Sequence, residues 1–292
     1  LEAGDAARAR SELEDHAAHD PRDAESLRWL AEARRSDGDL AGAIEAMERA
    51  AARRPEHADW HGALGDLHRE AGARDAARAR LDRAHRLAPD AASWPCALAE
   101  MALEDGDVAE ARRWLAEALR VDPRHGPSRA LEGRMALESG DPQGARDALA
   151  AAVAECPEDG RLHHHLGLAI LATGDPEGAI DALENAARSG AATAETYRTL
   201  GRLYADGGRA DEALAAYREA VGRDPSDIGA RIGLGRAYAD AGLVPQALAA
   251  LGEATEAAPR DWRPCHALAR VLAESGSLEA ALEAYDHAIE RD

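Results

Sequence analysis

An all-α fold, an α-solenoid of paired helices repeated along the chain, is predicted by three features of the sequence. They are a fixed 34-residue period, glycine and proline punctuation inside each period, and apolar positions at helical spacing. Gly4, Gly38, Gly72, Gly106, Gly140, Gly174, Gly208, Gly242 and Gly276 follow one another at that period without an insertion or deletion. Ala43, Ala77, Ala111, Ala145, Ala179, Ala213, Ala247 and Ala281 keep the same register, and a second alanine row runs from Ala50 to Ala288. A chain of 292 residues would otherwise suggest about two ordinary domains. Self-similarity at a fixed period instead indicates one array whose units pack only on their neighbours.

Each element follows from local chemistry. In residues 194–227, Tyr197, Leu200, Gly201 and Tyr204 fall on one face at 3.6-residue spacing and define a first helix. Gly208 ends it, because a helix C-terminus favours a left-handed residue. Ala213, Tyr217 and Ala220 mark the second helix, which stops before Asp224-Pro225 because proline cannot continue it. Pro21, Pro55, Pro89, Pro123, Pro157, Pro225 and Pro259 repeat that stop, with Ala191 as the substitute. Pro95, Pro127 and Pro264 lie in first turns, where a missing N–H costs little. Gly65, Gly133, Gly167, Gly201 and Gly235, with Ala31, Ala99 and Ala269, let helices approach closely.

On these residues the chain resembles the tetratricopeptide repeat (TPR) family over essentially its whole length. Seven full units occupy 24–57, 58–91, 92–125, 126–159, 160–193, 194–227 and 228–261, with a partial unit at 1–23 and a slightly short one at 262–292. The resemblance implies a single domain over 1–292, a right-handed superhelix with a concave surface lined by first helices. Glu132 departs from the pattern, replacing the leucine of Leu30, Leu64, Leu98, Leu166, Leu200, Leu234 and Leu268. Leu131 is expected to fill the space, or Glu132 to pair with Arg129 or Arg161. Neither end carries the polar cap a solenoid needs, which reads as a fragment of a longer protein, as missing terminal residues, or as ends that associate in a homo-oligomer.

Composition excludes several classes. The formal net charge is -20, from 35 basic and 55 acidic side chains, which disfavours nucleic acid because phosphate binding needs a positive footprint. No apolar run approaches the roughly 20 residues of a membrane span, so direct insertion of this segment is not expected. A cytoplasmic location is expected, and a periplasmic one would need a leader or anchor outside this segment.

Chemistry-bearing residues do not assemble into a catalytic constellation, and no enzyme activity, cofactor or metal is expected. His163, His164 and His165 point about 100° apart on a helix and cannot converge on one ion. His163 takes the register of Tyr197 and is expected to pack between helices. Cys96, Cys156 and Cys265 lie in three different units and read as small buried or half-buried thiols.

The groove the resemblance implies is lined by Glu32, Asp66, Glu100, Arg134, Leu168, Arg202, Arg236 and Arg270 in order. Three zones follow: carboxylates early (Glu25, Glu32, Asp59, Asp66, Glu100), then an apolar strip of Leu103, Leu137, Leu168 and Leu171. Last comes a cationic ladder of Arg198, Arg202, Arg236, Arg263 and Arg270 with His266. Asp206, Asp240 and Glu274 stand four residues beyond Arg202, Arg236 and Arg270, so ordinary surface ion pairs are one reading of the ladder. Arg198 has no such acid. The other reading is capture of a peptide with an acidic stretch and apolar anchors, since arginine grips carboxylates bidentately. The leucines read either as an apolar binding strip or as residues covered by the adjoining first helix.

The resemblance therefore implies a non-catalytic scaffold that binds a protein or peptide partner in its groove. Two other settings remain: a recruiting region of a larger glycosyl- or sulfotransferase, and a bacterial envelope or polysaccharide-export scaffold. An acidic early half facing a basic late half also makes head-to-tail self-assembly electrostatically plausible.

Overall fold

The computed structural model describes residues 23–291, so the partial unit at 1–23 lies almost wholly outside the described residues. Among those described are sixteen α-helices and no strand. The chain divides into two compact units, residues 1–132 and 133–292. The first unit holds α1 (Ala24–Ser36), α2 (Leu40–Arg53), α3 (Ala58–Glu70), α4 (Arg74–Leu87), α5 (Ser93–Glu104) and α6 (Val108–Val121). The division falls inside α7 (Gly126–Glu138). The second unit holds α8 (Pro142–Glu155), α9 (Gly160–Ala172), α10 (Pro176–Arg188), α11 (Ala194–Asp206), α12 (Ala210–Arg223), α13 (Ile228–Asp240), α14 (Val244–Ala257), α15 (Trp262–Glu274) and α16 (Leu278–Ile289). Within each unit every helix packs on the next, and in the second unit α11 also touches α13 and α13 touches α15.

The turn inside each helix pair is built from one glycine. Gly208 takes φ 73°, its N–H donates to the Ala205 carbonyl, and the Arg209 N–H donates to the Tyr204 carbonyl at 2.8 Å. These two bonds satisfy carbonyls that the helix end leaves open. The second bond, which spans five residues, recurs from the Asp39 N–H to the Arg34 carbonyl and from the Ser277 N–H to the Leu272 carbonyl. Asp39, Asp107, Asp141 and Asp175 then cap the following helix, each accepting the N–H of the residue three further on. Where proline gives way to Ala191, α10 ends at Arg188, Gly190 turns the chain at φ 76°, and Thr193 with Thr196 forms a capping box for α11.

Both alanine rows are buried along the described chain. The small residues of first helices face large side chains of second helices: a Cβ at Gly133, Gly167, Gly201 or Gly235 would run into Leu149, Leu183, Tyr217 or Leu251. At the irregular position, Leu131 is 1% exposed and Glu132 turns outward to pair with Arg129 at 2.7 Å; Arg161 pairs instead with Asp159. The first unit has clusters around Leu27, Leu30, Met47 and Leu64, and around Leu81, Leu98 and Met101. The second has clusters around Leu149, around Leu183 and Leu200, around Tyr217, and around Leu251.

Two expectations are corrected. Cys96 and Cys265 are buried, but Cys156 is exposed, because it stands just past the end of α8. His163, expected only to pack between helices, is half-buried and also bonds the inter-repeat turn, its Nε2–H donating to the Pro157 carbonyl at 2.8 Å. His61 at the same register serves the Pro55 carbonyl, and Arg129 and Arg231 serve Pro123 and Pro225. The position is a recurring donor to the inter-repeat turn. The buried member of the triplet is His164, 3.0 Å from the Thr196 hydroxyl on α11.

Candidate functional site

In the first unit the expected carboxylate zone is already tied up. Arg35 reaches Glu32 at 4.0 Å and also pairs with Glu70. Arg69 lies 3.9 Å from Asp66, 3.2 Å from Glu100 and 3.9 Å from Glu104. Glu25 is held by Arg28 at 3.3 Å and by Arg54 at 2.9 Å, while Asp59 stays exposed in the first turn of α3. Burial raises the Asp66 carboxyl above its ordinary range, with Arg69 and Arg35 pulling the other way. This surface presents neutralised pairs to a partner, and Leu103 beside it is half-buried.

The second unit contains a cavity of about 690 Å³ that gathers Leu168, Arg198, Arg202, Arg236 and Arg270. Thr199, Tyr217, Ile232 and Gly233 floor it, and Glu195, Asp206 and Asp240 also reach its wall. A smaller cavity of about 350 Å³ adjoins it, sharing Gly229, Ile232 and Arg236 and adding Trp262, Arg263 and His266. Trp262 is stacked edge-on with His266 at 5.8 Å. Tyr217 lines the cavity with only 7% of its surface exposed, its ring packed between α11 at Gly201 and α13 at Gly233, where a Cβ at either glycine would strike it. Burial pushes the Tyr217 phenol up, Asp206 adds to the shift, and Arg202, Arg236 and Arg198 oppose it.

The ladder divides in a way the sequence spacing did not suggest. Arg198, expected to lack an i+4 acid, lies 3.5 Å from Asp227, the last residue of its own unit and the cap of α13, and 3.7 Å from Glu195. Arg263 is bound at 2.6 Å to Asp261, which also caps α15. Arg270 approaches Glu274 at 3.3 Å. Neither Arg202 nor Arg236 has a carboxylate within ion-pair distance among the described residues, and the buried Arg236 Nε has no hydrogen-bond partner there.

The apolar strip is also divided. Leu168 faces the larger cavity, whereas Leu137 and Leu171 lie half-buried against core clusters. Sequence reasoning missed Tyr217 as a cavity residue. The missed signal is the pair of glycines at 201 and 233, which lets a tyrosine ring fit between two first helices at the base of the cavity.

Family models described as tetratricopeptide repeat match residues 34–95 and 204–270, residues 96–117, and residues 263–292. A further one matches 1–58, 130–195 and 164–228, more than half of the chain. No curated protein matches the sequence. Among solved structures, pilF of Pseudomonas aeruginosa is 19% identical with a TM-score of 0.65, over 72% of this chain and 96% of its own. The Cut9–Hcn1 hetero-tetramer of the APC/C is 19% identical with a TM-score of 0.62, over 92% of this chain and 55% of its own. YrrB, described as a TPR protein with an unusual peptide-binding site, is 20% identical with a TM-score of 0.56, over 61% of this chain and 92% of its own. At these identities the likeness is one of fold.

Proposed function

Because this chain belongs to the tetratricopeptide repeat family, a family of protein–protein interaction scaffolds that are generally non-catalytic, we propose that its second unit docks an acidic peptide segment of a partner protein. Arg202, Arg236 and Arg270 grip the carboxylates, and Leu168, Ile232 and Tyr217 supply the apolar floor. Arg198 and Arg263 hold the site in shape through Asp227 and Asp261. The observation that carries this reading is the unpaired state of Arg202 and Arg236 beside a cavity, on a protein of net charge -20. A guanidinium left without a carboxylate in so acidic a chain is free to bind one bidentately.

The test is binding of fluorescently labelled acidic peptides, followed by anisotropy at low and at raised salt. The intact protein is compared with the variant Arg202→Glu/Arg236→Glu. Binding by the parent that weakens with salt, and is lost in the variant, supports the site; such screening is expected because the Debye length shrinks from about 10 Å at 0.1 M to about 3 Å at 1 M. Equal binding by both proteins removes the site from this cavity.

A further inference from the structure

Arg202, Arg236 and Arg270 occupy one register on α11, α13 and α15, and these three first helices touch in succession. Packed neighbouring helices lie about 8–10 Å apart, which sets the step of the ladder. A ligand that repeats its carboxylates at that step meets all three cations without drawing any of them off its register. In a β-strand, side chains on one face recur at about 6.6–6.8 Å and then at about 13 Å, and neither matches. A polyproline II helix has three residues per turn and rises about 3.1 Å per residue, so every third side chain returns to the same face after about 9.3 Å.

An α-helical ligand gives a comparable step of about 10.5 Å at every seventh residue. Its bulk is the difficulty. With a diameter of about 10–12 Å it is the wider ligand, and it would have to clear Glu195, Asp206 and Asp240 on the wall to reach the arginines. An extended segment is slimmer, and its backbone needs no pairing strand because polyproline II leaves its amides to solvent.

The wall adds a second constraint. Glu195, Asp206 and Asp240 line the same cavity as the arginines, so a continuous run of acidic residues would place like charges together. Neutral residues between the acids avoid that repulsion. The adjoining cavity of about 350 Å³, with Ile232, Trp262 and His266, takes an apolar side chain from the neighbouring face of the segment.

Resting on the acidic-segment reading above, we propose that the occupant is a polyproline II segment of a partner protein carrying an acidic residue at every third position, separated by neutral residues. Each acid meets one arginine of the Arg202, Arg236, Arg270 series, and a proline or other apolar residue beside the middle acid enters the Ile232–Trp262 cavity.

The experiment measures affinities of the intact protein for four synthetic peptides of matched charge and length. They carry glutamates at every third position with proline and alanine between, at every second position, contiguously, or at every seventh position in a helix-forming host. The every-third peptide is expected to bind about tenfold more tightly than the others, the scale of one additional charge-assisted hydrogen-bond pair. Arg236→Gln is then combined with glutamine in place of the middle glutamate. Each change alone is expected to cost about tenfold, and the second to cost little once the first is present. A best ligand with every-second, contiguous or every-seventh acids overturns the spacing while leaving the acidic-segment reading intact. Absence of binding by all four peptides, or binding indifferent to both Arg202→Gln and Arg236→Gln, overturns both.

Discussion

Arg198 and Arg202 sit one turn apart on α11 and differ in what holds them. Arg198 reaches across to Asp227, whereas Arg202 fails to close on Asp206 four residues later. Reach explains the contrast: Arg270 does meet its i+4 partner, which is the longer Glu274. An acid placed C-terminal to its base is also the poorer orientation for an i,i+4 pair on a helix. The same scale governs His164, whose imidazole is held below its ordinary pKa by burial and by His165, with Glu195 opposing. A lowered folded pKa means that the unfolded chain binds the proton first as pH falls. Stability from neutral His164 is therefore present above the unfolded value of about 6.5 and is lost as pH falls through the folded one. His68 and His125 are lowered by burial too and add to the trend. Thermal melts should show Tm dropping from neutral to mildly acidic pH, with a smaller drop in His164→Gln. An unchanged drop in that variant would remove His164 from the account.

At the scale of elements, the recurring aspartates do two jobs. Asp227 accepts the Ala230 N–H at 3.0 Å as the cap of α13, and it also holds Arg198 on α11. Removing the cap should cost about 1 kcal/mol, while the partly exposed ion pair is worth less. Asp227→Ala should therefore lower stability by about 1–2 kcal/mol in denaturant titration, and Asp227→Asn, which keeps an accepting oxygen, by a few tenths. Comparable losses in the two variants would make the charge, not the cap, the dominant contribution. Four caps stand in the sequence as an aspartate directly after a turn glycine, at Asp39, Asp107, Asp141 and Asp175. Pairing of Arg198 with a residue 29 positions away was not legible there, since it depends on how α13 packs on α11.

For the whole molecule, the distribution of free charge differs from the distribution of charge. The early acidic residues Glu25, Glu32, Asp66 and Glu100 all have arginine partners, so they offer little to a second copy's arginines. No helix among the described residues is long and apolar enough to cross a membrane. Light scattering at low salt is expected to return a monomer mass, unchanged as salt is raised. A mass that grows at low salt and falls with added salt would instead establish charge-driven head-to-tail assembly.

The sequence by itself determined the repeat, its 34-residue register, the helix pairs and their turns. Those depend on local backbone chemistry: a left-handed glycine, a capping aspartate, a proline that stops a helix, alanines where helices touch. It also placed Arg202, Arg236 and Arg270 in one row, because periodicity alone fixes which face a helical residue takes. Only the tertiary structure decided which of the ladder's cations are spent. Asp227 claims Arg198 from 29 positions away, whereas Asp261 and Glu274 meet Arg263 and Arg270 within about a turn, and Arg202 and Arg236 stay open. It likewise decided that Leu168 faces a cavity while Leu137 and Leu171 lean on the core. The physical reason is range. Helix and turn formation are settled within a few residues, whereas ion pairing and burial depend on side chains brought within a few ångströms by packing between repeats.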